Sequence, residues 1–383
     1  MRKGHVVETR RTVAHCANPF LPLTMVWAYD QIRSLARYRP VVLTQAVQNR
    51  DIFPVDHLFS AEDLPVWEQG LYRAVRKVRG TYAGYVPILR RERVDVMHAH
   101  FGQEGYRCLA ARRGAGAPLV TSFYGLDVSQ LPRQRPWRRR FCRLFDEGER
   151  FLVEGSHMGG RLVALGCPLE KVCLQRLGVD LDQIPFCPPE SRADGAPVVL
   201  MYATFREKKG HIYGLRAFHR VLDAFPDARM RVIGDGPLRA EIAHEIQALG
   251  LVDRVVLRGM QPHAECLEEL RQATVLLYPS VTASDGDTEG GAPVGLIEAM
   301  ASGLPVVSSW HADIPEVVPD GLCGLLARER DVAGLAEGLE AILGCAQLRT
   351  SLGQAGRAHV EANHNLRLQG RRLEAIYDRV VDR

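Results

Sequence analysis

The chain has 383 residues, 46% of them hydrophobic and 25% charged, with a formal net charge of +4. That length exceeds one ordinary core and fits two domains, and the balance is that of a folded globular protein rather than a disordered or fibrous one. No apolar run approaches the roughly 18 residues of a membrane span, and MRKGHVVETRRTVAH at the start has no signal-peptide block, so the expected location is the cytoplasm.

From Thr12 onward short β-rich runs alternate with helical stretches: TVAH at 12–15, VVLT at 41–44, DVMHAH at 95–100, PLVTSF at 118–123 and RFLVEG at 150–155. Such alternation predicts parallel βαβ units. FCPPESRADGAP after Pro185 has no periodicity and reads as a linker. A second series follows, with strands at PVVLMYATF, RMRVIG, RVVLRG, TVLLYPS and PVVSS, and helices at GHIYGLRAFHRVLDAF, PLRAEIAHEIQALG, AECLEELRQA, PVGLIEAMASG and VAGLAEGLEAILG. A polar helical tail, RLQGRRLEAIYDRVVDR, closes the chain. The expected architecture is α/β: a doubly wound Rossmann-like domain over residues 1–186, a second over 187–362, and a helix over 363–383 crossing back to the first. A cleft beyond the carboxyl ends of the strands would hold the ligand.

Nine cysteines lie at irregular intervals without a CxxC pair or metal-finger spacing, which predicts free thiols in a reducing compartment and no metal site. Residues 1–190 carry 28 Lys/Arg against 19 Asp/Glu, so the first half is basic and the second acidic. Six arginines and three aromatics crowd into PRQRPWRRRFCRLF, Pro132 to Phe145. The Arg133–Arg143 region suits an anionic membrane surface, and a solvated helix paired to the following DEGER would look similar. No nucleic-acid-binding module accompanies the charge.

Three strand-to-helix junctions of the second half are built to meet a phosphate or a sugar. REKKGH offers Arg206, Lys208 and Lys209 beside free helix-terminal amides, although a solvated basic turn has the same composition. IGDGPLR turns on Gly234 and Gly236. DGDTEGGAPVGLIEAM places Glu289 and Glu298 around a glycine-rich loop, with Pro293 where a helix starts and Gly303 where it stops. Helix-terminal amides favour an anion, while flanking carboxylates accept hydrogen bonds from hydroxyls. Together these suit a diphosphate with a sugar on either side.

The series MYATFREKKGH, VIGDGPLR, VLLYPS, EGGAPVGLIEAMASGLPVV and IPEVVPDGLCGLL resembles the nucleotide-sugar half of retaining GT-B glycosyltransferases, in the large family with bacterial mannosyl- and glucosyltransferases of polysaccharide and glycolipid assembly. HAHFG at 98–102, TSFYGLDVS at 121–129 and GSHMGGRLVALGCPLEKVCLQRLGVD at 155–180 are similar to their acceptor domain. The resemblance implies a metal-independent hexosyl transfer from a UDP- or GDP-sugar to a lipid-linked or glycan acceptor, with no cofactor beyond that donor. It implies Lys209 on the diphosphate, Glu298 on the ribose, Glu289 at the transferred sugar, and backbone contacts from Gly291, Ala292, Val294, Gly295 and Leu296. It places Met260 along the nucleobase.

Three departures from the family pattern stand out. Thr204 occupies the position of the usual arginine, which leaves Arg206 as its replacement. Tyr124 occupies that of the usual histidine, with His98, His100 and Asp127 close by in sequence. His98 and His100 are read either as chemistry or as structural hydrogen-bonders, and Asp127 either as orienting a neighbour or as capping a turn. The loop between Glu289 and Glu298 is one residue longer than the pattern, which leaves Glu298 the firmer assignment. Neither the GxGxxG fingerprint of a dehydrogenase nor the pyridoxal lysine of a phosphorylase is evident. The non-catalytic alternative is a nucleotide-sugar-binding scaffold of the same fold.

Overall fold

A computed structural model describes residues 10–22, 25–191, 195–291 and 293–382. In the first half β1 (Arg11–Cys16), β2 (Tyr38–Thr44), β3 (Leu58–Ser60), β4 (Val96–His100), β5 (Leu119–Ser122), β6 (Arg150–Val153) and β7 (Val172–Leu174) form one sheet in the order β3-β2-β1-β4-β5-β6-β7. In the second half β8 (Val198–Tyr202), β9 (Arg229–Ile233), β10 (Val255–Gly259), β11 (Val275–Tyr278), β12 (Val306–Ser309) and β13 (Leu325–Ala327) form another, in the order β10-β9-β8-β11-β12-β13. All of these strand pairings are parallel.

Helices cover both faces of each sheet, so the central strands are apolar almost throughout. Val41, Val42, Leu43, Leu276 and Leu277 have no exposed surface. The three-residue strands β3, β7 and β13 escape a sequence reading because two or three residues show no periodicity. The helix Ala346–Asn363 escapes it too, since its buried side is built from Leu352, Val360 and two glycines. A Cβ at Gly353 would lie 2.5 Å from the Gly303 carbonyl, so glycine there lets two backbones touch.

The helix Leu366–Val381 returns to the first sheet. Leu373, Ile376 and Tyr377 pack on Val13, Val96 and Val120, and Asp378 pairs with Arg37 at 2.8 Å. The nine cysteines are all free, and five of them are buried. Among the described residues no helix is long and apolar enough to cross a membrane.

Strand order reverses between β1 and β4 in one sheet and between β8 and β11 in the other. Ligands of doubly wound sheets bind at such switch points, where adjacent loops part. The two points face each other across a cavity of about 620 Å³ lined by both halves.

Candidate active site

On the second sheet, the turn after β8 carries Lys209 to the end of β11. Its ammonium lies 2.7 Å from Glu289 Oε1 and 3.0 Å from the Tyr278 hydroxyl. Ser280 donates to Glu289 Oε1 at 3.0 Å. Burial alone would pull Lys209 down, but Glu289 and Tyr278 outweigh it and raise its pKa. Burial likewise pushes Glu289 up, and Lys209 and then Lys208 outweigh it, so the pair stays ionised. Lys208 pairs with Asp287 at 3.1 Å. The long loop is thereby pinned by two lysines, and Glu289 is held against Lys209 although the insertion falls beside it. Ala292 lies outside the described residues.

The Glu289 amide donates to His311 Nε2 at 3.0 Å, which leaves Nδ1–H to donate to Glu329 at 2.6 Å. Pro293 precedes the helix Val294–Ala301, and Gly303 at φ 79° follows it. Gly291, Val294, Gly295 and Glu298 line the cavity, as do Thr204 and Arg206. Among the described residues the Arg206 guanidinium has no ion pair, and the residue is exposed. Leu296 is fully buried in the core beneath the cavity.

Glu298 accepts a hydrogen bond from His263 Nε2 at 2.7 Å. That bond raises the His263 pKa against the opposing effect of burial. Asp30 lines the same end of the cavity from the first half, and burial pushes its carboxyl up to about 6. No spacing rule connects His263 with Glu298; only the packing of their two helices side by side does.

Gly234 and Gly236 are not on the cavity wall. A Cβ on Gly236 would lie 2.7 Å from the Phe205 carbonyl, and one on Gly234 would collide with that of Ala203. These glycines join the second turn to the first. Met260, 46% exposed, also stands outside the wall.

The first sheet contributes Tyr124. Its hydroxyl is 2.8 Å from His100 Nδ1, and His100 Nε2 is 3.0 Å from His15 Nδ1. Burial pushes Tyr124 well above the usual tyrosine value and pulls His100 down to about 3. His100 is fully buried and lines no part of the cavity. His98 bonds Tyr377 at 2.7 Å and Ser122 at 2.8 Å. One ring nitrogen from each of His15, His98 and His100 lies within 4.8 Å of the other two. Of their six ring nitrogens all but His15 Nε2 are hydrogen-bonded, however, with His15 and His100 forming a polar chain behind Tyr124 and His98 bonded elsewhere. Asp127 accepts from the amides of Gly102, Tyr124 and Gly125 at 2.8, 3.0 and 2.9 Å. Those bonds use both oxygens and shape the turn that presents Tyr124 to the cavity, while Asp127 itself is not on the wall.

The two halves touch on either side of the cavity. The backbone of Tyr124 and Gly125 lies so close to Gly290 that a Cβ there would collide with it. On the other side Asp313 accepts from the amides of His157 and Met158 at 2.7 and 3.2 Å, and Glu316 from that of Ser156 at 2.9 Å. The helix Ser156–Ala164 begins after Gly155 with no cap of its own. Its free amides are satisfied by carboxylates of the opposite half.

The arginine-rich stretch forms the helix Arg135–Glu147, whose Phe141, Leu144 and Phe145 enter the core. Arg143 pairs with Glu147 at 2.8 Å, and Arg133 reaches the Asp285 carbonyl at 2.6 Å. Phe141 and Phe145 are thus unavailable to a membrane, and what faces solvent is a row of arginines.

Residues 186–359 match the family model described as glycosyl transferases group 1, and residues 26–183 match glycosyltransferase family 4. WcaL of Escherichia coli K12, named for colanic acid biosynthesis, is 35% identical over 294 residues, 74% of this chain and 70% of its own. AmsK of Erwinia amylovora, an amylovoran biosynthesis glycosyltransferase, is 35% identical over 298 residues, 75% of this chain and 70% of its own. HepE of Anabaena, solved with UDP and glucose, superposes with a TM-score of 0.78 at 16% identity over 95% of this chain and 98% of its own. With two opposed doubly wound sheets and matching families over both, the chain belongs to the group 1 glycosyltransferases of the GT-B fold.

Proposed function

We propose that the protein transfers a hexose, with retention of anomeric configuration, from a UDP- or GDP-sugar to a glycan or lipid-linked acceptor in exopolysaccharide assembly. The carrying observation is the convergence of Lys209, Glu289, Glu298 and the start of the helix Val294–Ala301 on one cavity wall. Lys209 and Arg206 meet the diphosphate beside the free amides of that helix, a metal-independent way to stabilise a departing anion. Glu298, steadied by His263, accepts from the ribose hydroxyls. Glu289 faces the transferred sugar, with backbone contacts from Gly291 and Gly295, while Thr204 fills the wall beside the phosphates.

Tyr124 serves the reacting sugar as a hydrogen-bond group, positioned by His100 and Asp127. A tyrosine with a raised pKa is a poor base. This favours retention with the departing diphosphate taking the acceptor proton on its own face of the sugar. The names of WcaL and AmsK favour polysaccharide assembly, and the solvent-facing arginines favour an anionic membrane surface as the place of work.

The test is transfer from a panel of UDP- and GDP-sugars, with the product anomer read by NMR. An inverted product would remove retention. Nucleotide binding without transfer to any glycan would leave a binding protein of this fold.

A further inference from the structure

We infer that the cavity wall contributed by the first half is a subsite for an uncharged sugar ring, the acceptor's end, packed against Trp27 and Phe101. This rests on the glycosyl transfer proposed above and adds the chemistry of the acceptor.

Two observations carry it. The first is the division of charge within the cavity. Among the described residues its cationic or potentially cationic side chains are Arg206, Lys208, Lys209 and His263, all from the second half. The described part of the wall from the first half has no lysine, arginine or histidine and carries the carboxylates Asp30, Glu154 and Asp180. An acceptor bearing a phosphate or carboxylate there would meet only like charge, in a partly desolvated site where repulsion is poorly screened. Hydroxyl groups, which donate to carboxylates, are the fitting partners.

The second is an aromatic face. The Trp27 ring lies 4.4 Å from that of Tyr124 by centroids, and Phe101 lies 4.9 Å from Tyr124. All three line the cavity. Phe101 is held at φ 76°, a left-handed backbone that a non-glycine residue seldom adopts. Such strain persists where the surrounding structure imposes it, commonly at ligand sites. Tyr124 is the residue that replaces the family histidine, and Trp27 packs directly on it. Aromatic faces with a few convergent polar groups are what a pyranose ring, apolar on its CH faces and polar at its edge, requires.

The experiment is saturation-transfer NMR on the full chain, with and without UDP or GDP. The probes are the methyl α-glycosides of glucose, mannose and galactose, and methyl α-glucuronide, which differs from the glucoside by a carboxylate. The expected result is saturation of at least one neutral glycoside, about tenfold weaker or absent for the glucuronide. Trp27→Ala should lose the signal and Trp27→Phe keep part of it, while both bind nucleotide as the wild type does, which shows that they fold. The proposal is overturned if the glucuronide binds as well as the glucoside, if no neutral glycoside is saturated, or if Trp27→Ala changes nothing. Absence of nucleotide binding by the wild type would instead refute the donor assignment, and the glycoside spectra without nucleotide still decide this one.

Discussion

Lys209 and Glu289 form an ion pair with 2.7 Å between Nζ and Oε1, and neither side chain is more than 13% exposed. Removing one partner of such a pair leaves a charge that low-dielectric surroundings penalise, whereas removing both does not. Lys209→Met should destabilise the protein by about 3 kcal/mol, and Lys209→Met with Glu289→Gln should recover most of the loss. Denaturant titration measures this. Both variants should bind nucleotide at least about tenfold more weakly, since the cation proposed for the diphosphate is missing in each.

Arg206 lines the same cavity but is exposed. Arg206→Ala should therefore leave the unfolding midpoint unchanged while weakening donor binding about tenfold by calorimetry. Unchanged donor affinity would show that Arg206 does not replace the arginine absent at Thr204.

His263 gains its raised pKa from Glu298 in the folded state. A group whose folded pKa is raised stabilises fully below its unfolded value, about 6.5, and loses that contribution as pH rises through the folded pKa. His263→Gln should thus cost on the order of 1 kcal/mol near pH 5.5, with the difference from wild type shrinking as pH rises past 7. Donor KM should increase in the variant because Glu298 loses its anchor.

Asp313 has the same sign in a lower pH window, against the usual direction for a carboxylate. Burial raises its carboxyl to about 6, outweighing the hydrogen bonds from the amides of His157 and Met158, which pull it down. The folded state then binds this proton more tightly, so its contribution falls as pH rises between about 4 and about 6. Asp313→Asn should flatten the stability profile across that window, by about 1–2 kcal/mol in urea titrations. An unchanged slope would show that Asp313 does not titrate there.

Gly290→Ala puts a methyl group where the Tyr124 carbonyl lies. The two halves could not approach as they do here. Turnover should fall at least about tenfold and small-angle scattering should report a wider molecule, while nucleotide binding by the second half persists.

Much of this was legible in the chain. The βαβ alternation and the helix start at Pro293 follow from local rules of periodicity and backbone restriction. The cavity-lining positions Lys209, Glu289 and Glu298 stand out because each is tied to a strand end or a helix start in the sequence itself. Gly234 and Gly236 were equally visible, but their glycine character reflects packing on Ala203 and Phe205 rather than a place on the wall.

What the tertiary structure decided concerns residues far apart in the chain. His263 reaches Glu298 across 35 positions and Lys209 reaches Glu289 across 80. The amides of the helix Ser156–Ala164 are capped by Asp313 and Glu316 from the other half. His100 and Asp127, prominent by motif, lie behind Tyr124 instead of on the wall, while Trp27, with no motif at all, stands on it. Periodicity and capping act over a few residues, so one sequence displays them directly. Ion pairing, desolvation and stacking depend on distances that exist only once both sheets are formed and facing each other.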